Sequence, residues 1–159
     1  FVIKKVDLSF IISGTNNETE NPLFHGEIST IMNFFKLKNL KPKEYIFISS
    51  HEPCSMCLSA ITWCGFDNFY YFFPYEDTYE NFNIPHDLKI LKEVFKIENG
   101  EYSKENYYWK SYSLLESIQE LPNLDKEKLL IKIREIKELY ENLSKQYQLS
   151  KNSTNIPLN

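Results

Sequence analysis

Apolar residues along this chain fall into short continuous runs and longer helical stripes, and the two kinds alternate. VDLSFIIS, Val6 to Ser13, is apolar and rich in β-formers, and the polar stretch GTNNETENP follows it, so a strand running into a loop is predicted. From His25 the spacing changes. Ile28, Ile31, Met32 and Phe35 fall at i, i+3, i+4 and i+7, one face of a helix that ends at NLKPKE. YIFIS, Tyr45 to Ser49, is continuously apolar, as in a strand covered on both faces. A second helix is predicted from near Cys54 to Gly65, a residue suited to a helix C-terminus. FYYFF, Phe69 to Phe73, is a third strand stopped by Pro74. HDLKILKEVF and NYYWKSYSLLESIQEL then read as helices. The stretch from Leu124 to Ser150 reads as a long amphipathic helix with Leu129, Ile133, Ile136, Leu139, Tyr140 and Leu143 on one stripe. Its interleaved Lys and Glu residues read as a solvated face, and residues 151–159 as a loose tail.

Strands that alternate with helices imply parallel neighbours and a layered α/β domain. No internal repeat or linker divides the chain, so residues 1–150 are expected to form one domain. Of the 159 residues 42% are apolar and 16% aromatic, enough for one packed core. Four glycines leave no glycine-rich phosphate loop. No apolar run approaches the ~20 residues of a membrane span, and no secretory signal is visible. The chain opens on Phe1 rather than Met, and a preceding segment is expected. Three cysteines are too few for a disulfide scaffold and fit a reducing, cytoplasmic setting. A formal charge of -4 argues against avid non-specific nucleic-acid binding, which depends on cationic neutralisation of phosphates.

Two strand-to-helix junctions carry the candidate chemistry. FHGEIST holds His25 and Glu27, and EPCSMC holds Cys54 and Cys57. In a parallel sheet both lie at the carboxyl edge, where ligands bind. Cys54 and Cys57 are three residues apart in the first turn of a helix, so both sulfurs can face one point. A helix N-terminus also favours thiolates, and Pro53 can set the turn without consuming a needed donor. His25 would make a third zinc ligand, leaving a fourth position open, as in catalytic sites. Inside a regular helix i and i+2 point roughly 200° apart. His25 and Glu27 therefore share a site only if His25 sits at or just outside the helix start. Glu27 could then move protons beside the metal.

Three blander readings stand beside this one. Cys-x-x-Cys opening a helix also suits a thioredoxin-like redox pair, which leaves His25 and Glu27 unexplained. His51, Cys54, Cys57 and Cys64 could form a structural zinc knot, although Cys64 lies two turns beyond Cys57. Cys64 alone reads as a buried small residue, and His51 and His86 as ordinary loop residues.

HGE at residues 25–27 with PCSMC at residues 53–57 resembles the zinc-dependent cytidine deaminase superfamily. Within it, HGEIST and PCSMC look most like the free-base (cytosine and guanine) and tRNA adenosine deaminase branch. The resemblance covers about Ile3 to Pro74. It implies a three-layer α/β/α fold with a central mixed, mostly parallel sheet, extra C-terminal helices, and a helix before the first strand. It implies zinc held by His25, Cys54 and Cys57, with Glu27 as general acid/base in the hydrolysis of an exocyclic amine. Asn16 or Asn17 would match a loop asparagine that contacts the base. Backbone groups around Gly26 and from Glu52 through Pro53 to Cys54 would orient the ring. Phe24, Trp63 and Phe73 read first as core, or else as aromatics that sandwich the base. Asp77, in the acidic stretch PYEDTYENFNIPHD, reads as a solvated residue or as a carboxylate for the N–H edge of a base. The acidic balance favours a small nucleobase or nucleoside over tRNA. The C-terminal stripe suits a pocket cap or a homodimer contact. A catalytically silent zinc-containing binding protein of the same fold is the alternative from another class, and the intact Glu27 speaks against it.

Overall fold

The structure, a computed structural model, describes residues 1–150 together with 156 and 157. The tail expected at 151–159 otherwise lies outside the described residues. The chain opens on a hairpin, β1 Val2–Lys4 and β2 Phe10–Ile12. The single strand expected from Val6 to Ser13 is therefore corrected. Asp7 interrupts it by accepting the Ser9 N–H at 2.9 Å, and Leu8 takes a φ of 57° to complete the turn. Lys5 fixes this turn to the rest of the fold through Asp67 at 2.7 Å.

The helix α1 spans Gly26–Lys36, β3 spans Tyr45–His51, α2 spans Ser55–Trp63 and β4 spans Asn68–Phe73. Gly65, at φ 78°, adopts the left-handed conformation that a glycine after a helix accommodates without strain. A further strand, β5, covers Lys110–Ser113. This stretch was expected to be helical. Its buried positions, Trp109, Ser111 and Ser113, alternate as a strand requires, but two of them are serines and hide the apolar period.

The five strands form one mixed sheet in the order β2-β1-β3-β4-β5. β1 runs antiparallel to both its neighbours, while β3, β4 and β5 are mutually parallel. It follows that β2 also points along β3, so four strands share one direction and one carboxyl edge. The loop into α1 and the loop into α2 both start from that edge.

Phe47 of β3 stands beside Phe69 of β4, and both lie on the face packed by Phe34 of α1 and by Leu58 and Ile61 of α2. Phe66 joins them, with its ring 5.2 Å from both Phe34 and Phe47. Burying each such ring contributes about 1.5–3 kcal/mol, which makes this cluster the main anchor of the site's scaffold. On the opposite face Ile46, Ile48, Tyr70 and Phe72 are half-buried.

Four helices surround the remaining sheet edge and ends: α3 Tyr75–Glu80, α4 His86–Phe95, α5 Leu114–Gln119 and α6 Asn123–Ser150. The long α6 docks through a mixed row. Ile133 is buried, Lys137 reaches Asp77 at 3.4 Å, and Tyr140 packs on Phe73. Ser144 and Gln148 donate to the Phe82 carbonyl at 3.3 and 3.0 Å. Ile136, Leu139 and Leu143 of the expected stripe are exposed instead. No helix among the described residues is long and apolar enough to cross a membrane.

Candidate metal centre

Two helix starts build the centre. His25 caps α1 with φ -61° and ψ 158°, an extended conformation just outside the helix. The 200° separation that a regular helix would impose on His25 and Glu27 therefore does not apply, and both side chains face the same edge. Cys54 caps α2 in the same manner, with φ -62° and ψ 168°, and Cys57 lies in the first turn. Sγ of Cys54 is 3.5 Å from Nδ1 of His25. One ligand atom from each of His25, Cys54 and Cys57 lies within 4.8 Å of the others. Tetrahedral bonds of 2.0–2.3 Å put neighbouring nitrogen and sulfur ligands about 3.5 Å apart, so the donor set fits one zinc ion in chemistry and spacing. Three protein ligands leave room for a fourth.

The side chains of the cluster are strongly coupled to one another electrically. The hydrogen bond from Cys57 is the largest influence on Cys54 and, with His25 nearby, pushes its thiol down to about 5. Cys57 is pushed up, first by its bond to Cys54 and then by burial and the negative Glu27. His25 rises to about 10, held first by Cys54 and then by Glu18. Cys54 is therefore the readier thiolate, and a divalent cation would supply the positive charge that lets Cys57 give up its proton as well.

Glu27 completes the centre. Its Oε1 accepts the Ser49 hydroxyl at 2.7 Å, and its Oε2 lies 3.4 Å from Sγ of Cys57. Ser49 comes from the otherwise apolar end of β3 and is buried. It was not foreseen, because a serine ending an apolar run carries no signal of its own.

The other expected contacts divide. Asn16 turns its amide onto Glu18 at 2.8 Å, and Asn17 pairs with Glu20. Gly26 is the first residue of α1 and follows His25 directly. Glu52 is only 4% exposed and faces away from solvent into a network: it accepts the Tyr75 N–H at 3.1 Å, the Tyr102 hydroxyl at 2.6 Å and the Lys104 ammonium. The Tyr75 hydroxyl donates to the Pro53 carbonyl at 2.5 Å. Asp77 accepts from Asn81 at 3.0 Å and from Lys137. Its neighbour ten residues on, Asp87, instead senses the ligand cluster. Burial first, then the charge of Cys54, raises its carboxyl to about 7, and Glu27 and Glu18 act in the same direction. Asp87 opens a helix in a stretch crowded with carboxylates, and no spacing rule distinguishes it from Asp77.

The rival ligands lie elsewhere. His51, expected in a loop, ends β3 inside a box formed by Phe73, Phe82 and Tyr140, with ring centroids 5.0–5.4 Å away. Burial pushes it down to about 4. Among the described residues neither His51 nor Cys64 joins a metal-binding cluster. Of the aromatics, Phe73 is core as expected. Trp63, expected in the core, is 90% exposed at the end of α2.

The family model described as "Cytidine and deoxycytidylate deaminase zinc-binding region" matches residues 1–73, which contain His25, Glu27, Cys54 and Cys57. No curated protein matches the chain. Among solved structures, guanine deaminase from Bacillus subtilis is 23% identical, covering 77% of this chain and 78% of its own, with a TM-score of 0.48. A tRNA:A34 deaminase, studied for A-to-I editing at the wobble position of transfer RNA, is 19% identical, covering 70% of this chain and 79% of its own, with a TM-score of 0.41. The first 73 residues, a little under half of the chain, are thus similar to the zinc-binding region of the cytidine and deoxycytidylate deaminases.

Proposed function

We propose that the protein is a zinc-dependent hydrolase that removes an exocyclic amino group from a nucleobase or nucleoside of the cytosine, guanine or adenine type, releasing ammonia. One observation carries this reading. A carboxylate, Glu27, stands beside a His-Cys-Cys cluster, with Oε2 3.4 Å from Sγ of Cys57 and Oε1 anchored on Ser49. A structural zinc site has no use for such a group. Zinc held by His25, Cys54 and Cys57 would supply Lewis-acid activation of the attacking water. Glu27 then takes a proton from the attacking water at Oε2 and delivers it to the ring nitrogen next to the amino-bearing carbon. The same carboxylate carries the next proton to the departing amine. The Ser49 hydroxyl keeps Oε1 engaged, so the proton-carrying oxygen stays directed at the cluster.

Asn16, on the loop above α1, and the backbone from Glu52 to Cys54 orient the ring. Asp87, which senses the cluster, is the carboxyl we assign to the base edge in preference to Asp77, which is engaged with Lys137. The net charge of -4 supports a small base or nucleoside ahead of tRNA. The homodimer reading has in its favour the exposed Ile136, Leu139 and Leu143 on one side of α6, and light scattering tests it.

Ammonia release from purified protein over a panel of free bases, nucleosides and a tRNA anticodon stem-loop tests the reaction. Turnover of at least one small molecule is expected. Glu27→Gln should keep about one zinc per chain yet lose ~10²–10⁴-fold in rate, the usual contribution of general acid–base catalysis. A Gln variant with near-normal rate refutes the role of Glu27. Release from the stem-loop alone would transfer the reading to tRNA adenosine, and silence with zinc bound would leave a binding protein.

A further inference from the structure

The loop between β2 and α1 contains a chain of contacts that ends on the metal ligand His25. Oε1 of Glu18 lies 3.0 Å from Nε2 of His25, the ring nitrogen opposite the one that faces Cys54. Oε2 of the same carboxylate accepts the Asn16 amide at 2.8 Å, and the Glu18 N–H in turn donates to Oδ1 of Asn16 at 3.0 Å. Glu18 is thus bound at both carboxylate oxygens and at its backbone, and its side chain is 17% exposed. The loop that carries it is braced at both ends. The Asn17 N–H donates to the Phe24 carbonyl at 2.8 Å, and Gly14 lies directly against the backbone of α1 at Thr30.

We infer that Glu18 is a positioning residue for the metal centre: its carboxylate takes the Nε2 hydrogen of His25 and so commits Nδ1, with its lone pair, to the metal. An imidazole carries one hydrogen when neutral, and a carboxylate can only accept it. Fixing that hydrogen on Nε2 selects the tautomer, holds the ring plane and raises the basicity of Nδ1. Asn16 then has a second task, since its amide steadies the carboxylate that steadies the histidine. This inference rests on the zinc reading and adds to it a residue outside both HGE and PCSMC.

The test measures zinc affinity by competition with a chromophoric chelator, in the wild type, Glu18→Ala, Glu18→Gln and Glu20→Ala. Partners of this kind are worth 10–100-fold in metal affinity, so Glu18→Ala should weaken zinc by about that factor. Glu18→Gln should fall between it and the wild type, because an amide oxygen still accepts from Nε2 but brings no charge. Glu20→Ala breaks a bond of the same loop, to Asn17, without touching His25, and should bind as the wild type does. Imidazole ¹⁵N shifts of the zinc-loaded protein should report a metal on Nδ1 and a hydrogen on Nε2 in the wild type, with that pattern broadened or lost in Glu18→Ala. Unchanged affinity in Glu18→Ala, or an equal loss in Glu20→Ala, overturns the positioning role. A wild type that takes up no zinc would overturn the metal reading as well, and is distinguished because every variant would then look the same.

Discussion

Glu52 immediately precedes Pro53 and Cys54, so whatever holds its carboxylate also holds the start of α2. Glu52→Gln keeps the shape and removes the charge. The native carboxylate accepts from three donors: the Tyr75 N–H, the Tyr102 hydroxyl and the Lys104 ammonium. Glutamine offers one carbonyl oxygen, and its NH2 must then face at least one of those donors. A hydrogen bond to a charged group is worth ≈ 1.5–3 kcal/mol, and a donor left unsatisfied on burial adds to the cost. The Lys104 side chain is 45% exposed and can swing into water, so its share is discounted. The Tyr102 hydroxyl cannot leave. Burial, and then Glu52, push its pKa well above the usual tyrosine range, so it remains a donor at any working pH. The sum is about 2–4 kcal/mol. For a chain of this length that corresponds to a fall in Tm of roughly 5–15 °C, measurable by calorimetry. Zinc affinity should fall as well, because the Cys54 cap loses its anchor. A Gln variant within about 0.5 kcal/mol of the wild type, the usual range of an inconsequential surface change, would refute this account of the junction.

Further outcomes follow from other positions. Cys64→Ala should retain zinc in full by elemental analysis, since Cys64 stands apart from the cluster; release of metal would restore the structural-knot reading. Gly14→Ala would set a methyl 2.4 Å from the Thr30 backbone nitrogen, against helix backbone that cannot yield. It should cost about 1–3 kcal/mol in urea unfolding, the usual range for overpacking, and weaken zinc by displacing Glu18. His51 protonates at about 4 when folded and near its ordinary 6.5 when unfolded, because burial disfavours its charged form. Between those values the unfolded chain binds more protons, so this residue's contribution is complete above pH 6.5 and is lost as pH falls towards 4. The loss is on the order of 3 kcal/mol. The stability gap between the wild type and His51→Gln should narrow over that window, and a constant gap would argue against a buried neutral imidazole.

How much of this was legible in the sequence depended on whether a signal was local. The helix at His25 and the one at Cys54 were foreseen because apolar spacing, a proline and a terminal glycine all lie within a few residues of each other. The parallel core strands were foreseen from uninterrupted aromatic and β-branched runs. The first strand was not, since a single Asx contact at Asp7 turned a run into a hairpin. β5 was not, since its inward positions are serines. The long C-terminal helix was foreseen as a helix but not in its orientation, because Lys137, Ser144 and Gln148 dock it through polar contacts while Leu139 and Leu143 face solvent. At the site, the ligands and Glu27 stood out as motifs. Glu18, Ser49 and Asp87 did not, because each takes its meaning from a partner at least seven residues away.

The same distinction divides the protein's labour. All three ligands, Glu27 and its Ser49 partner lie before residue 73, within the span the deaminase family model matches. Glu18 and Asn16 support His25 from within the same span, and other groups come from beyond it. Lys104 and Tyr102 hold Glu52, Tyr140 closes the box around His51, and Asp87, buried in α4, feels the charge of Cys54. The first half can fix the reaction because bond lengths and proton positions at zinc allow little variation. Recognition of a ring is less constrained, since a carboxyl edge or an aromatic wall can be supplied from several elements. Substitutions at His25, Glu27, Cys54 or Cys57 should therefore depress turnover of every substrate alike. Substitutions at Asp87 should instead change the ranking among bases, which parallel kcat/KM measurements over the same panel would reveal. If Asp87→Asn slowed all substrates by one common factor, the selection of the base would have to lie elsewhere.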